Sequence, residues 1–102
     1  MRLPKHINVL GKKWKVSYKW NLTDEGIKCL GLCCHESRTI FIDRTSTKAE
    51  RPQIFLHELL HAILFEAKLT DADSFSTEVE EIMVELVSTY LLDKFTMRLK
   101  SK

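Results

Sequence analysis

Residues His57-Glu58-Leu59-Leu60-His61 form an HExxH pattern. On a helix, residues four apart lie on one face a turn from each other, so two imidazoles can close on a single ion. Glu58, one residue past the first histidine, can reach a water in that ion's open position without binding the ion itself. Average residue usage makes a chance match roughly a one-in-a-few-hundred event for a chain of this length. The competing reading is two buried, hydrogen-bonded histidines. Against it, Ile54-Phe55-Leu56 and Ala62-Ile63-Leu64-Phe65 flank the pattern, and burying two imidazoles with a carboxylate is costly unless a cation pairs them. The expected cofactor is one Zn2+ per chain.

A catalytic zinc generally takes three protein ligands and a water, and HExxH supplies two. The downstream carboxylates are Glu66, Asp71, Asp73, Glu78, Glu80, Glu81 and Glu85. Glu81 and Glu85 stand one helical turn apart on a stripe with Glu78, Ser88 and Leu92, separate from the apolar face of Val79, Ile82, Met83, Leu86 and Tyr90. Small Ser88 lets such a helix come close to the motif helix and send one carboxylate to the ion. Glu78 and Glu80 read as solvated acids at a helix amino terminus, where negative charge is favoured. Spacing alone leaves Glu81 and Glu85 as alternatives.

The elements that must position these residues follow from pattern. Thr47-Lys48-Ala49-Glu50 fits a capping box and Pro52 suits a first turn, so the motif helix is expected over residues 48–68. Its apolar residues lie on nearly all sides, which puts it between layers. A polar break at residues 70–74 precedes a second helix that starts near Ser76 or Thr77, with Glu80 completing another capping box, and ends near Phe95; residues 97–102 are expected to fray. Upstream, residues 7–10 and 14–20 flank a turn at Gly11-Lys12-Lys13, and Trp14, Val16, Tyr18 and Trp20 alternate with lysines. A looser stretch, 21–26, leads to strands at 27–34 and 39–43. The expected fold is α+β, a small antiparallel sheet of three to four strands followed by two packed helices.

At 102 residues, 44% hydrophobic and 29% charged, the composition fits one domain, 1–102, with a single core. The start lacks an apolar leader and no run reaches membrane-spanning length, so a soluble, cytoplasmic protein is expected. Cys29, Cys33 and Cys34 are an odd number crowded together, which argues against a disulfide framework. With His35 they suggest a second zinc site, but no matching ligand pair exists and small buried residues explain them better. A formal charge of +2 is too small to imply a nucleic-acid partner by itself, no recognition motif is present, and the lysines near the start read as a solvated strand face.

The chain resembles a gluzincin, the zinc-peptidase class with HExxH on one helix and a glutamate on the next. More narrowly it resembles the small phage- and prophage-encoded metallopeptidase-like proteins related to the ImmA/IrrE family. The likeness rests on residues 31–43, 55–63 and 81–91. The resemblance implies a zinc metallopeptidase in which His57, His61 and Glu81 bind the metal, Glu58 is the general base, and Glu85 holds a ligand histidine. The expected partner is a protein or peptide substrate, extended along Thr39–Asp43, the strand just before the motif helix and a natural edge for a further strand; no membrane or nucleic-acid partner is expected. His35, Arg38 and Tyr90 are candidate oxyanion donors. Nothing matches the separate domain that supplies such a donor in larger members. The alternative is a weakly active or inactive zinc-stabilised interaction module.

Overall fold

The computed structural model describes residues 3–68 and 77–100, with Thr77 and residues 92–100 described as backbone. Strands β1 (His6–Val9) and β2 (Lys12–Lys19) form a hairpin. Its two-residue turn falls at Leu10 and Gly11, both at positive φ, one step earlier than the sequence suggests. Asn8 Oδ1 accepts the Gly11 N–H at 2.8 Å and closes it.

The stretch that reads as loose contains a second small hairpin, β3 (Thr23–Asp24) with β4 (Ile27–Lys28). Glu25 and Gly26, again both at positive φ, make its turn and draw Ile27 and Lys28 away from the main sheet. The single strand expected over 27–34 therefore breaks, and only β5 (Gly31–Cys34) joins β6 (Thr39–Asp43).

The main sheet runs β1-β2-β6-β5. Its pairing corrects the antiparallel expectation, because β2 and β6 are parallel, with Val16 opposite Ile40 and Tyr18 opposite Ile42. A parallel pair needs a connection of about a dozen residues or more, and residues 20–38 provide it. The register puts Trp14, Val16, Ile40 and Ile42 in one buried layer. A second correction follows from strand order: β6 is interior, paired on both sides, so Thr39–Asp43 offers no edge to a peptide. The edge beside the helices is β5.

Helix α1 (Arg51–Glu66) carries HExxH in its middle. The capping box forms one turn ahead of it: Glu50 Oε1 accepts the Thr47 N–H at 2.8 Å, and Thr47 Oγ1 accepts the Glu50 N–H at 3.2 Å. Lys68, at φ 62°, ends the run. One side of α1 packs Phe55 and Ala62 against the sheet core; the other meets α2 (Thr77–Lys100). The helix is thus layered as its apolar girth implies. Glu66 ties its far end to the sheet, accepting Trp14 Nε1 and Arg38 Nε at 2.7 Å each. Helix α2 continues to Lys100, past the expected end near Phe95, because residues 77–100 contain no Gly or Pro to stop it. No helix among the described residues is long and apolar enough to cross a membrane.

Candidate metal centre

Small residues set the approach of the helices. Val84 and Ser88 on α2 are fully or nearly fully buried, and Ser88 satisfies its hydroxyl on Glu85 O at 3.1 Å. This contact turns Glu80, Glu81 and Glu85 towards the two histidines. Nε2 of His61 lies 3.0 Å from Glu81 Oε1, and Nε2 of His57 lies 3.6 Å from Glu81 Oε2. The opposite ring atoms have separate partners: His57 Nδ1 is 3.0 Å from Glu85 Oε2, and His61 Nδ1 is 2.6 Å from Glu80 Oε2. The rings stand 5.1 Å apart, steeply inclined to each other. His57, His61 and Glu81 each offer one ligand atom, all within 4.8 Å of one another.

That arrangement can hold a metal ion. A carboxylate on each Nδ1 stabilises the N–H there and leaves Nε2 with its lone pair free for a metal, the arrangement usual behind metal-binding histidines. Both Nε2 atoms converge on one further carboxylate. The structure thus brings together His57, His61, Glu81 and Glu85 as the sequence and its resemblance suggested.

Glu58 is 9% exposed. Burial pushes its carboxyl above the usual range, opposed by His57 and His61 and reinforced by Glu81. Strand β5 crosses it closely, for a Cβ at Gly31 would lie 3.0 Å from both Cγ and Oε2 of Glu58 and 2.6 Å from Ile54 Cγ2. Beside this crossing opens a cavity of about 410 Å3, lined in part by Leu30, Gly31, Ile54, His57, Glu58 and Glu85. It joins the buried carboxylate to one of the two histidines.

Glu80 is the residue that sequence reasoning missed. Its place in the sequence fits a helix cap and a solvated face, yet its largely covered side chain contacts His61. A usable signal existed: two histidines acting as ligands would need two Nδ1 acceptors, and a third ligand would make three carboxylates, the number that Glu80, Glu81 and Glu85 supply. The other candidates lie elsewhere. Glu66 is bound to Trp14 and Arg38, Glu78 is exposed, and Asp71 and Asp73 fall outside the described residues, as does Ser76 of the expected cap. Of the suggested oxyanion donors, Arg38 is engaged by Glu66, His35 stacks on Phe65 with ring centroids 4.3 Å apart, and Tyr90 stands exposed on α2. All three cysteines are free and half-buried, and Cys33 packs against the core, where burial pushes its thiol up.

No protein-family model matches the sequence, and comparison with curated proteins and with solved structures returns no match at the level that would indicate relationship.

Proposed function

We propose that this protein is a zinc-dependent metallopeptidase, with His57 Nε2, His61 Nε2 and a Glu81 carboxylate oxygen as the metal ligands and Glu58 as general base. The observation that carries the reading is the twofold pattern around the histidines: each Nδ1 meets its own carboxylate and both Nε2 atoms face a shared third. A pair of merely buried histidines has no need of that arrangement. Kinship with the ImmA/IrrE-related proteins, and with it a phage or mobile-element origin, rests on the sequence motifs. Three free thiols favour a cytoplasmic setting.

His57, His61 and Glu81 would hold the divalent cation, and when bound it would supply Lewis-acid chemistry, polarising a substrate carbonyl and lowering the pKa of a water towards about 7. Glu85 and Glu80 accept hydrogen bonds from the Nδ1–H groups of His57 and His61 and orient both imidazoles. Glu58 accepts the proton of the attacking water and returns it to the leaving amine nitrogen. Its burial raises its basicity for the first transfer and excludes bulk water from the second. The substrate is a peptide in extended form, adding to the β5 edge at Gly31–Cys34, where main-chain pairing aligns it along the cavity.

Glu58→Gln keeps the side chain's shape while removing the base. Peptide-library cleavage by the zinc-loaded protein should be lost in this variant and in the presence of chelator, with zinc content of Glu58→Gln nearly unchanged. Cleavage that survives the substitution, or a zinc-loaded parent that cuts no peptide, contradicts the proposal.

A further inference from the structure

The cavity beside the metal centre follows α1 away from the histidines. Glu50 at the N-cap, Ile54, His57 and Glu58 recur at helical spacing and so share one face, and all four line the cavity. Seven residues at 1.5 Å each carry it about 10 Å from His57 to Glu50. Leu30 and Gly31 of the β5 end form part of its wall, and Glu85 comes from α2. The middle is therefore apolar, between Glu58 and Glu85 near His57 and Glu50 at the far end. No Lys or Arg is among the lining residues. Glu58, 9% exposed, faces this space with no hydrogen bond to its carboxylate among the described residues.

We infer that the cavity receives a lysine or arginine side chain of the peptide, next to the scissile bond, with its methylenes on Leu30, Gly31 and Ile54 and its cationic end at Glu50. The inference rests on the proposed peptidase reading and names the substrate class of that site. A long basic side chain is apolar along its stem and charged at its tip, the same division that the cavity shows. An apolar side chain filling the space would take water from Glu50 and Glu85 without replacing it, and an acidic one would meet like charge. Glu50 keeps capacity for a guest: its cap bond to the Thr47 N–H uses Oε1, and a carboxylate offers about four acceptor sites. Hydrogen bonds from Thr47, its backbone N–H first, also hold the Glu50 carboxyl below the usual range, so it is charged at neutral pH. Reach selects a side chain over a free amino terminus, because an amine beside a carbonyl held at His57 cannot cross the ~10 Å to Glu50.

The test is cleavage of a peptide library by the zinc-loaded full chain, with a binding readout beside it. The library pairs Lys and Arg peptides with norleucine counterparts, each with a free and an acetylated amino terminus. The basic peptides should exceed the norleucine ones in kcat/KM by roughly 10-fold or more, because charge-assisted hydrogen bonds are the strong ones. Glu50→Gln keeps the capping box, which takes Gln as well as Glu, and should cut that ratio roughly 3- to 10-fold, mainly through KM. If Glu50→Gln does not fold, Gln53→Lys, at an exposed position of α1, should cut the ratio by bringing a cation to the cavity. Separately, butylguanidinium titrated into the isotope-labelled protein should shift the Gly31 amide and Ile54 methyl resonances, with weaker binding in Glu50→Gln. Cleavage that ignores the basic side chain, or that follows only a free amino terminus, overturns the inference and leaves the peptidase reading standing. A library left wholly uncut refutes that reading and takes the inference with it. Butylguanidinium that leaves Gly31 and Ile54 unmoved overturns the inference whatever is cut.

Discussion

Gly31 is the position at which a single methyl group should disturb the proposed base without touching the proposed metal ligands. An alanine there places its Cβ 2.6 Å from Ile54 Cγ2, whereas carbon atoms pack at about 3.5–4.0 Å, an overlap of about 1 Å. Ile54 has little freedom to yield, because a β-branched residue in a helix is confined to one χ1 rotamer. Relief must come from β5 moving off α1 or from Glu58 shifting, since its Cγ and Oε2 are each 3.0 Å away. Overpacking of this kind costs about 1–3 kcal/mol. At about 4–8 °C per kcal/mol for a domain near this size, Gly31→Ala should melt roughly 5–20 °C below the parent. Peptide cleavage should fall with it. Zinc affinity should change far less than the ~10- to 100-fold typical of losing a group that holds a ligand in place. Ile54→Leu deletes the offending Cγ2, so the double variant should recover part of the loss, with a coupling of at least ~0.5 kcal/mol in urea unfolding. A Gly31→Ala protein within about 0.5 kcal/mol of the parent, the range of an ordinary surface change, would refute the close crossing of β5 over Glu58.

The three α2 glutamates should separate in a zinc competition titration: Glu81→Ala loses the most affinity, while Glu80→Gln and Glu85→Gln each lose about 10- to 100-fold, and a larger loss in Glu85→Gln than in Glu81→Ala would reverse the assignment. Acid sensitivity should trace partly to Glu66, whose carboxyl is held below the usual range chiefly by the Arg38 hydrogen bond, with Trp14 Nε1 adding to it against burial. A depressed folded-state pKa stabilises fully above the unfolded value, about 4.3, and that contribution disappears as pH falls through the folded one. Arg38→Met should therefore be less stable than the parent at pH 7 and lose most of that deficit well below pH 4, as read from urea unfolding; an equal gap at both ends contradicts this role.

The site was legible because it depends on periodicity. HExxH places its two histidines on one face of α1, and Glu81, Glu85 and Ser88 share the facing stripe of α2, so helical spacing alone brought most of the cluster together. Glu80 was hidden by an equally good local explanation, a capping-box acid near a helix start. The sheet was less legible. Alternation in Trp14, Val16, Ile40 and Ile42 identifies strands and their buried side, yet carries no information on which strands are neighbours or in which direction they run. That is why β6 was expected at an edge and lies inside. Short-range turn chemistry at Glu25-Gly26, read as a loose stretch, decided where β5 begins. The apolar face of α2 was visible as a pattern, but a pattern does not say how much of it the chain itself covers, and Ile82 and Leu86 stand exposed.

The most direct test of the account is the stoichiometry of zinc binding to chelator-stripped protein, measured by competition with a chromophoric chelator in the parent and in His57→Ala/His61→Ala. The account predicts one equivalent per chain in the parent and none at comparable affinity in the double variant. A parent that takes up no zinc, or a double variant that binds as well as the parent, would contradict it.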